Sequence, residues 1–234
     1  MKAARRRYAT LLLPGLLCSS LVAQVQEERA IGLVSRVILD VTRRTPTVDW
    51  VKAQRGDILD SGHIVRTGER SLAVLKLKDN SLLRLREKSQ LTLTGTTVND
   101  AFQKGASVDG GVVGFAIQRQ RAGEEFRFTT PTSVASIRGT DGLFARFDSA
   151  DVFTILTGLG RITNLNSLSA ADVPAGFTAI SRQDGHLEVR VTTEDEKNAA
   201  ARASEMKERE RQLRLELKNP RGETRQLIID LHDE

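Results

Sequence analysis

The stretch EEFRFTTPTSVASIRGTDGLFARF, residues 124–147, decides the fold of this chain. It reads as strand, proline-marked turn, strand, glycine turn, strand. Phe126 and Phe128 alternate with Arg127 and Thr129, the period-two pattern of a strand with one buried face. Pro131 has a fixed φ and no N–H, so it belongs at a strand end or edge. Val134 to Ile137 supplies a second short strand, which Arg138, Gly139, Thr140, Asp141 and Gly142 then interrupt. The two glycines suit turns with positive φ, and the carboxylate of Asp141 between them suits a turn cap. Leu143, Ala145 and Phe147 resume the alternation.

Upstream of this block the period is again two. Ile31, Leu33, Val37, Leu39 and Val41 fall on one parity, with Val34 and Ile38 on the other. Trp50 is the only tryptophan and reads as a core anchor. Glycines at 56, 62 and 68 recur every six residues, a spacing that suits a small barrel, a sandwich or a coil of stacked β-rungs. Residues 71–93 form the clearest hairpin. Leu75 and Leu77 alternate with Lys76 and Lys78, Asp79-Asn80 make the turn, and Leu83 and Leu85 alternate with Arg84 and Arg86. Lys76, Lys78, Arg84, Arg86 and Lys88 are placed by this parity on one exposed face. That face is either an anionic-ligand patch or a solvated sheet surface with edge protection. Residues 96–109 are small and polar and read as a loop before a strand at 110–117.

Downstream, DVFTILT at 151–157 is apolar on both parities and is expected to be covered on both faces. Gly158 and Gly160 flank a turn, residues 164–172 read as a loop, and Asp184-Gly185 is a hairpin turn. At Thr192 the composition shifts to an acidic, then alanine-rich, then basic run. Thr193 and Glu196 have capping-box spacing, which predicts a helix over about 194–211. Leu213, Leu215 and Leu217, then Leu227, Ile229 and Leu231, alternate around Asn219-Pro220-Arg221-Gly222 as a final hairpin; a helix continuing to Lys218 competes with it.

The formal charge of +5 on 234 residues owes four of its units to Lys2, Arg5, Arg6 and Arg7. These precede an apolar run, Leu11 to Val22, that ends in Ala23, the layout of a Sec-type signal peptide. An uncleaved N-terminal anchor is the competing reading. Removal of residues 1–23 leaves a net charge near +1, which takes away the case for nucleic-acid binding. Cys18, the only cysteine, lies in this segment, so the mature chain has no disulfide or thiol chemistry. Leu16 and Leu17 before it disfavour lipidation. No later run is long enough to span a bilayer.

Signals for catalysis are sparse. His63, His186 and His232 are scattered without metal-ligand spacing. Asp60-Ser61-Gly62 resembles the aspartic-protease triplet, yet His63 follows where a small residue is usual, and the turn reading prevails. No nucleophile elbow is present. Arg138 is suited either to gripping an anion or to fixing a tight turn through backbone carbonyls, and the second role is preferred.

The segments RGDILDSGHIVRTGERSLAVLKLKDNSLLRL (55–85), TPTSVASIRGTDGLF (130–144), LTGLGRITN (156–164) and VPAGFTAIS (173–181) together resemble the FecR domain family across about residues 31–181. Asn80 stands where that family usually has glycine, and Gly142 widens the turn after Arg-Gly-Thr. The resemblance implies an all-β, solenoid-like domain outside the cytoplasm. In founding members this is the periplasmic part of an anti-sigma regulator. The sequence shows neither a sigma-binding part nor a second apolar span, so a stand-alone exported domain is expected.

The expectations are therefore these. The chain is mainly β, with short strands stacked solenoid-like or sandwich-like. Its parts are a signal peptide at 1–23, a β domain at 31–191 and a helix-plus-hairpin appendage at 192–234. Arg138, Gly139, Thr140 and Asp141 form a structural motif. The protein is periplasmic or secreted, non-catalytic and free of cofactors. It binds an envelope protein or, alternatively, a cell-wall glycan or other anionic polymer through the basic face. It has no nucleic-acid partner and no membrane span after signal cleavage.

Overall fold

The computed structural model describes residues 30–98, 101–121, 124–204, 211–218 and 224–231. The expected signal peptide with Cys18, the expected turn at 219–222 and His232 lie outside these residues. Among the described residues no helix is long and apolar enough to cross a membrane.

The chain crosses repeatedly between two β layers. β1 (Gly32–Ile38) lies in the front layer, and β2 (Val41–Arg44) and β3 (Val51–Lys52) in the back. β4 (Ile58–Leu59) returns to the front, and β5 (Ile64–Thr67) to the back. β6 (Leu72–Leu77) and β7 (Leu82–Leu85) form a front hairpin, and β8 (Gln90–Val98) a back strand. β9 (Ala101–Ile117) serves both layers. β10 (Phe126–Thr129) and β11 (Ser133–Ile137) are a back hairpin, and β12 (Thr140–Arg146) and β13 (Ala150–Thr157) a front one. β14 (Leu159–Asn164) and β15 (Ala170–Pro174) follow in the back, and β16 (Phe177–Arg182) and β17 (Leu187–Val191) in the front.

The front order is β4-β1-β6-β7-β9-β12-β13-β16-β17. The back order is β3-β2-β5-β8-β9-β10-β11-β14-β15. Every ladder is antiparallel except β9–β10. A β-solenoid stacks parallel rungs, whereas these hairpins fold back on themselves. Of the two architectures expected, the sandwich-like one forms, and its layers stay open. The crossing in β9 occurs at Gly111, whose φ is 88° and where a Cβ would come within 2.3 Å of Ser89 Oγ. Only glycine fits that bend.

The core lies between the layers. Phe115, Phe144 and Phe153 from the front meet Phe126 and Phe128 from the back, all fully buried. Phe128 lies 5.1 Å from both Phe115 and Phe144, ring centre to ring centre, so these rings knit the layers together. Each such ring contributes about 2–3 kcal/mol by leaving water. Leu75, Leu83, Leu85, Leu91 and Leu93 extend the core on the expected parity. Asn80 takes the tight turn between β6 and β7 at φ 64°, as its ability to adopt positive φ predicts.

Four local expectations are corrected. Residues 96–98 and 101–109 are no loop: β8 and β9 pair from Gln90↔Gly110 to Val98↔Ala101, because the β-branched threonines suit a ladder despite their polarity. β1 carries an extra residue between Val34 and Arg36, so Leu33 faces outward while Val34 is buried, and Leu39 is exposed in the turn after the strand at φ 58°. Trp50 is outside the core, with the Arg66 guanidinium 4.1 Å above its ring. The left-handed corner at Gly139 sets the phase at which β12 resumes alternation, so Thr140, Gly142 and Phe144 face inward and Leu143 and Phe147 lie on the outer side.

α1 (Glu194–Ser204) begins with a reciprocal capping box. The Glu196 N–H donates to Thr193 Oγ1 at 3.3 Å, and the Thr193 N–H donates to Glu196 Oε2 at 3.0 Å. Two Arg190 nitrogens grip the Glu196 carboxylate at 2.6 and 2.9 Å. The helix lies on the outer surface of the front layer against β9, β12 and β13. Gly114 makes this close approach feasible: a Cβ there would stand 2.1 Å from the Ala203 carbonyl oxygen. β13 is thus covered by the core on one side and by α1 on the other. β18 (Arg211–Lys218) and β19 (Thr224–Leu231) pair as the expected hairpin, with Leu213 opposite Ile229 and Leu215 opposite Leu227. The competing helix through Lys218 does not form.

Candidate functional site

The Thr130–Ser133 turn carries a buried polar network. Thr130 Oγ1 accepts the N–H groups of Thr132 and Ser133, at 3.1 and 2.9 Å. The Thr130 and Ser133 hydroxyls donate to one oxygen of Asp151, at 2.5 and 2.7 Å. Arg146 Nη1 donates to its other oxygen at 2.7 Å and also to Thr132 Oγ1 at 3.3 Å. Asp151 is fully buried. A buried carboxylate is tolerable only when its charge and lone pairs are met, and here both are. The network ties the β10–β11 turn of the back layer to the β12–β13 hairpin of the front.

The Arg-Gly-Thr segment is a second corner between the layers. The exposed Arg138 donates from Nε to the Glu124 carbonyl at 2.9 Å, the turn-fixing role expected from sequence. Gly139 has a φ of 62°. The Thr140 hydroxyl donates to the Leu159 carbonyl at 3.0 Å, pinning this corner to the β13–β14 corner. Asp141 does not cap a turn between two left-handed glycines, because Gly142 is a regularly paired residue of β12 without positive φ. Its carboxylate accepts the Thr157 hydroxyl at 3.1 Å instead.

The basic face is smaller than the alternation predicts. Lys76, Lys78, Arg86 and Lys88 are exposed, but Arg84 is only 4% exposed. It pairs opposite Gly114, where the end of α1 rests, so the helix covers it. Burial pushes the Arg84 guanidinium below its usual range, and the nearby Asp141 charge opposes that. Its Nη1 has no hydrogen-bond partner. Lys88 lies 2.9 Å from Glu69, a hydrogen bond that holds the Glu69 carboxyl below its usual value. In the β6–β7 turn, burial raises the Asp79 carboxyl, but hydrogen bonds from Lys104, Gln120 and Ser81 outweigh this and leave it low.

Asp60-Ser61-Gly62 is a turn, closed by the His63 N–H on the Asp60 carbonyl at 3.2 Å and by Gly62 at φ 83°. His63 Nε2 lies 4.0 Å from Asp60 Oδ2, whereas His186 is exposed elsewhere. Among the described residues no group of His, Cys, Asp and Glu is arranged to hold a metal ion.

A concavity of about 800 Å³ lies beside α1, on the outer surface of the front layer. Leu72, Val112, Leu143, Ala145 and Val152 form its floor, and Ala199 and Ala203 form its helical wall. Arg70, Arg86 and Arg202 stand at its rim with Glu87 and Glu196. Sequence reasoning missed this groove and Asp151. An aspartate opening an otherwise apolar run signals the latter. The groove exists only because Gly114 admits the helix.

Residues 63–159 match the family described as FecR protein. This span runs from the start of β5 to the β13–β14 corner and contains the Asn80 turn, the Asp151 network and the Arg-Gly-Thr corner. The FecR resemblance read from sequence is thereby supported, over a shorter stretch than the 31–181 first outlined. Two crystal structures of a proposed anti-sigma factor from Parabacteroides distasonis ATCC 8503 share the fold, each with a TM-score of 0.50, at 13% and 14% identity. The shared region covers 58% of this chain and 62% and 63% of those chains, so less than two thirds of their length is represented. No curated protein matches the chain.

Proposed function

We propose that this protein is a non-catalytic, FecR-type interaction module of the cell envelope, acting in envelope signalling or assembly through a protein partner. One observation carries the reading: the polar residues of its most family-like block are consumed in joining the two layers. Asp151, Thr130, Ser133, Arg146, Thr140 and Arg138 bond to one another or to backbone carbonyls. Such residues shape a surface. The FecR match and the anti-sigma description of the two structural neighbours favour a regulatory setting. The basic segment and apolar run before Ala23 favour export to the periplasm or beyond.

Cross-linking in the native host followed by mass spectrometry tests the reading. A recurrent envelope protein cross-linked to the β sandwich is expected. Recovery of cytosolic proteins alone, with residues 1–23 still attached, overturns it. The alternative, binding to an anionic cell-wall polymer, rests on Lys76, Lys78 and Arg86, and salt-sensitive sedimentation with peptidoglycan separates the two.

A further inference from the structure

The groove beside α1 combines three properties. Its floor is apolar, built from half-buried side chains on the outer surface of four front strands, Leu72 of β6, Val112 of β9, Leu143 of β12 and Val152 of β13. Its wall is a helix face reduced to alanines, so the space is not filled from that side. Its rim is cationic in effect. Glu196 is already engaged by Arg190, which with the Thr193 N–H holds it ionised. Glu87 accepts the Arg70 backbone N–H and keeps its negative charge, so three arginines at the rim outnumber one free carboxylate. The side chains of Arg70, Arg86 and Arg202 have no carboxylate partner among the described residues.

We infer that this groove is a binding site for a single-chain amphiphile with an anionic head, a free long-chain carboxylate. The alkyl tail lies on the Leu72-Val112-Leu143-Val152 floor, and the carboxylate meets the rim arginines, whose forked N–H groups match its two oxygens. A cavity of about 800 Å³ falls within the range of small-molecule sites, which are mostly apolar with a few polar groups that fix orientation. The charge asymmetry chooses the head group: a neutral head gains nothing from the arginines, and a cationic one is repelled. This inference does not depend on the identity of the protein partner.

Calorimetric titration with dodecanoate, dodecanol and dodecyltrimethylammonium, all below micelle-forming concentrations, tests it on one tail with three heads. Dodecanoate is expected to bind in a one-to-one ratio, dodecanol about tenfold more weakly, and the cation not measurably. Ala199→Trp, at an exposed position on the helical wall, fills the groove from outside and is expected to abolish binding with melting unchanged. Arg86→Glu with Arg202→Glu is expected to remove the preference for dodecanoate over dodecanol. Equal binding of the three heads overturns the inference, as does full dodecanoate affinity in Ala199→Trp. A concentration-dependent dimer that hides the groove, seen by sedimentation, also overturns it.

Discussion

Asp151 is the residue on which the joining of the two layers can be tested most directly. Its carboxylate is fully buried and receives two hydroxyl donors and one guanidinium nitrogen. Asp151→Ala leaves the Thr130 and Ser133 hydroxyls without their acceptor and the Arg146 charge without its partner. Removing one member of a buried ion pair costs about 3–5 kcal/mol. The Arg146 side chain keeps 13% exposure, so water softens the loss, and about 3–4 kcal/mol is expected. For a domain of this size that corresponds to a fall in melting temperature of about 6–16 °C. Urea titration followed by circular dichroism measures it. The double variant Asp151→Ala with Arg146→Met removes the stranded charge as well. It is expected to be more stable than the two single losses added together by at least about 1 kcal/mol. A single-variant loss under about 1 kcal/mol, or strict additivity, refutes the account of the network.

Three further outcomes follow from α1 and its footing. The folded-state pKa of Glu196 is lowered to about 2, chiefly by the Arg190 hydrogen bonds. Its contribution is therefore present above the unfolded value near 4.5 and lost as pH falls toward 2. Hydrogen exchange of the amides of residues 197–203 should accelerate over that window in the wild type, with no such pH step in Glu196→Gln. Gly114→Ala places a methyl against the Ala203 carbonyl and should destabilise α1 docking by about 1–3 kcal/mol, read as lost exchange protection in 194–204 with the sandwich core intact. Arg84→Met replaces a buried guanidinium with an unpartnered nitrogen, so stability should hold or rise, and a drop above about 1 kcal/mol in chemical denaturation would count against that picture.

Much of the sandwich is legible in the alternation. Phe126 and Phe128, Leu75 and Leu77, and Leu83 and Leu85 announce their buried faces because strand side chains alternate with period two. The Asn80 turn, the capping box and the Asp184-Gly185 turn are equally plain, since each rests on a local conformational preference. Where backbone irregularity intervenes, parity misleads. The left-handed Gly139 corner shifts the phase so that Phe144 and not Phe147 is buried, and one extra residue in β1 leaves Leu33 outward. The threonine-rich part of β8 carries no apolar period, and its pairing is set by the partner strand. Arg84 reads as exposed because nothing local announces the helix above it. That contact is made by Gly114 and Ala203, 89 positions apart, and the groove beside it shares the same origin.

β9 also has an architectural consequence. Among the described residues, no ladder joins a strand from β1–β8 directly to a strand from β10–β17; every such link runs through β9. The protein is in effect two lobes of consecutive sequence bound to a common spine. If the backbone is cut beside that spine, the two fragments can rejoin only along the two edges of β9, which pair with β7 and β12 in the front and with β8 and β10 in the back.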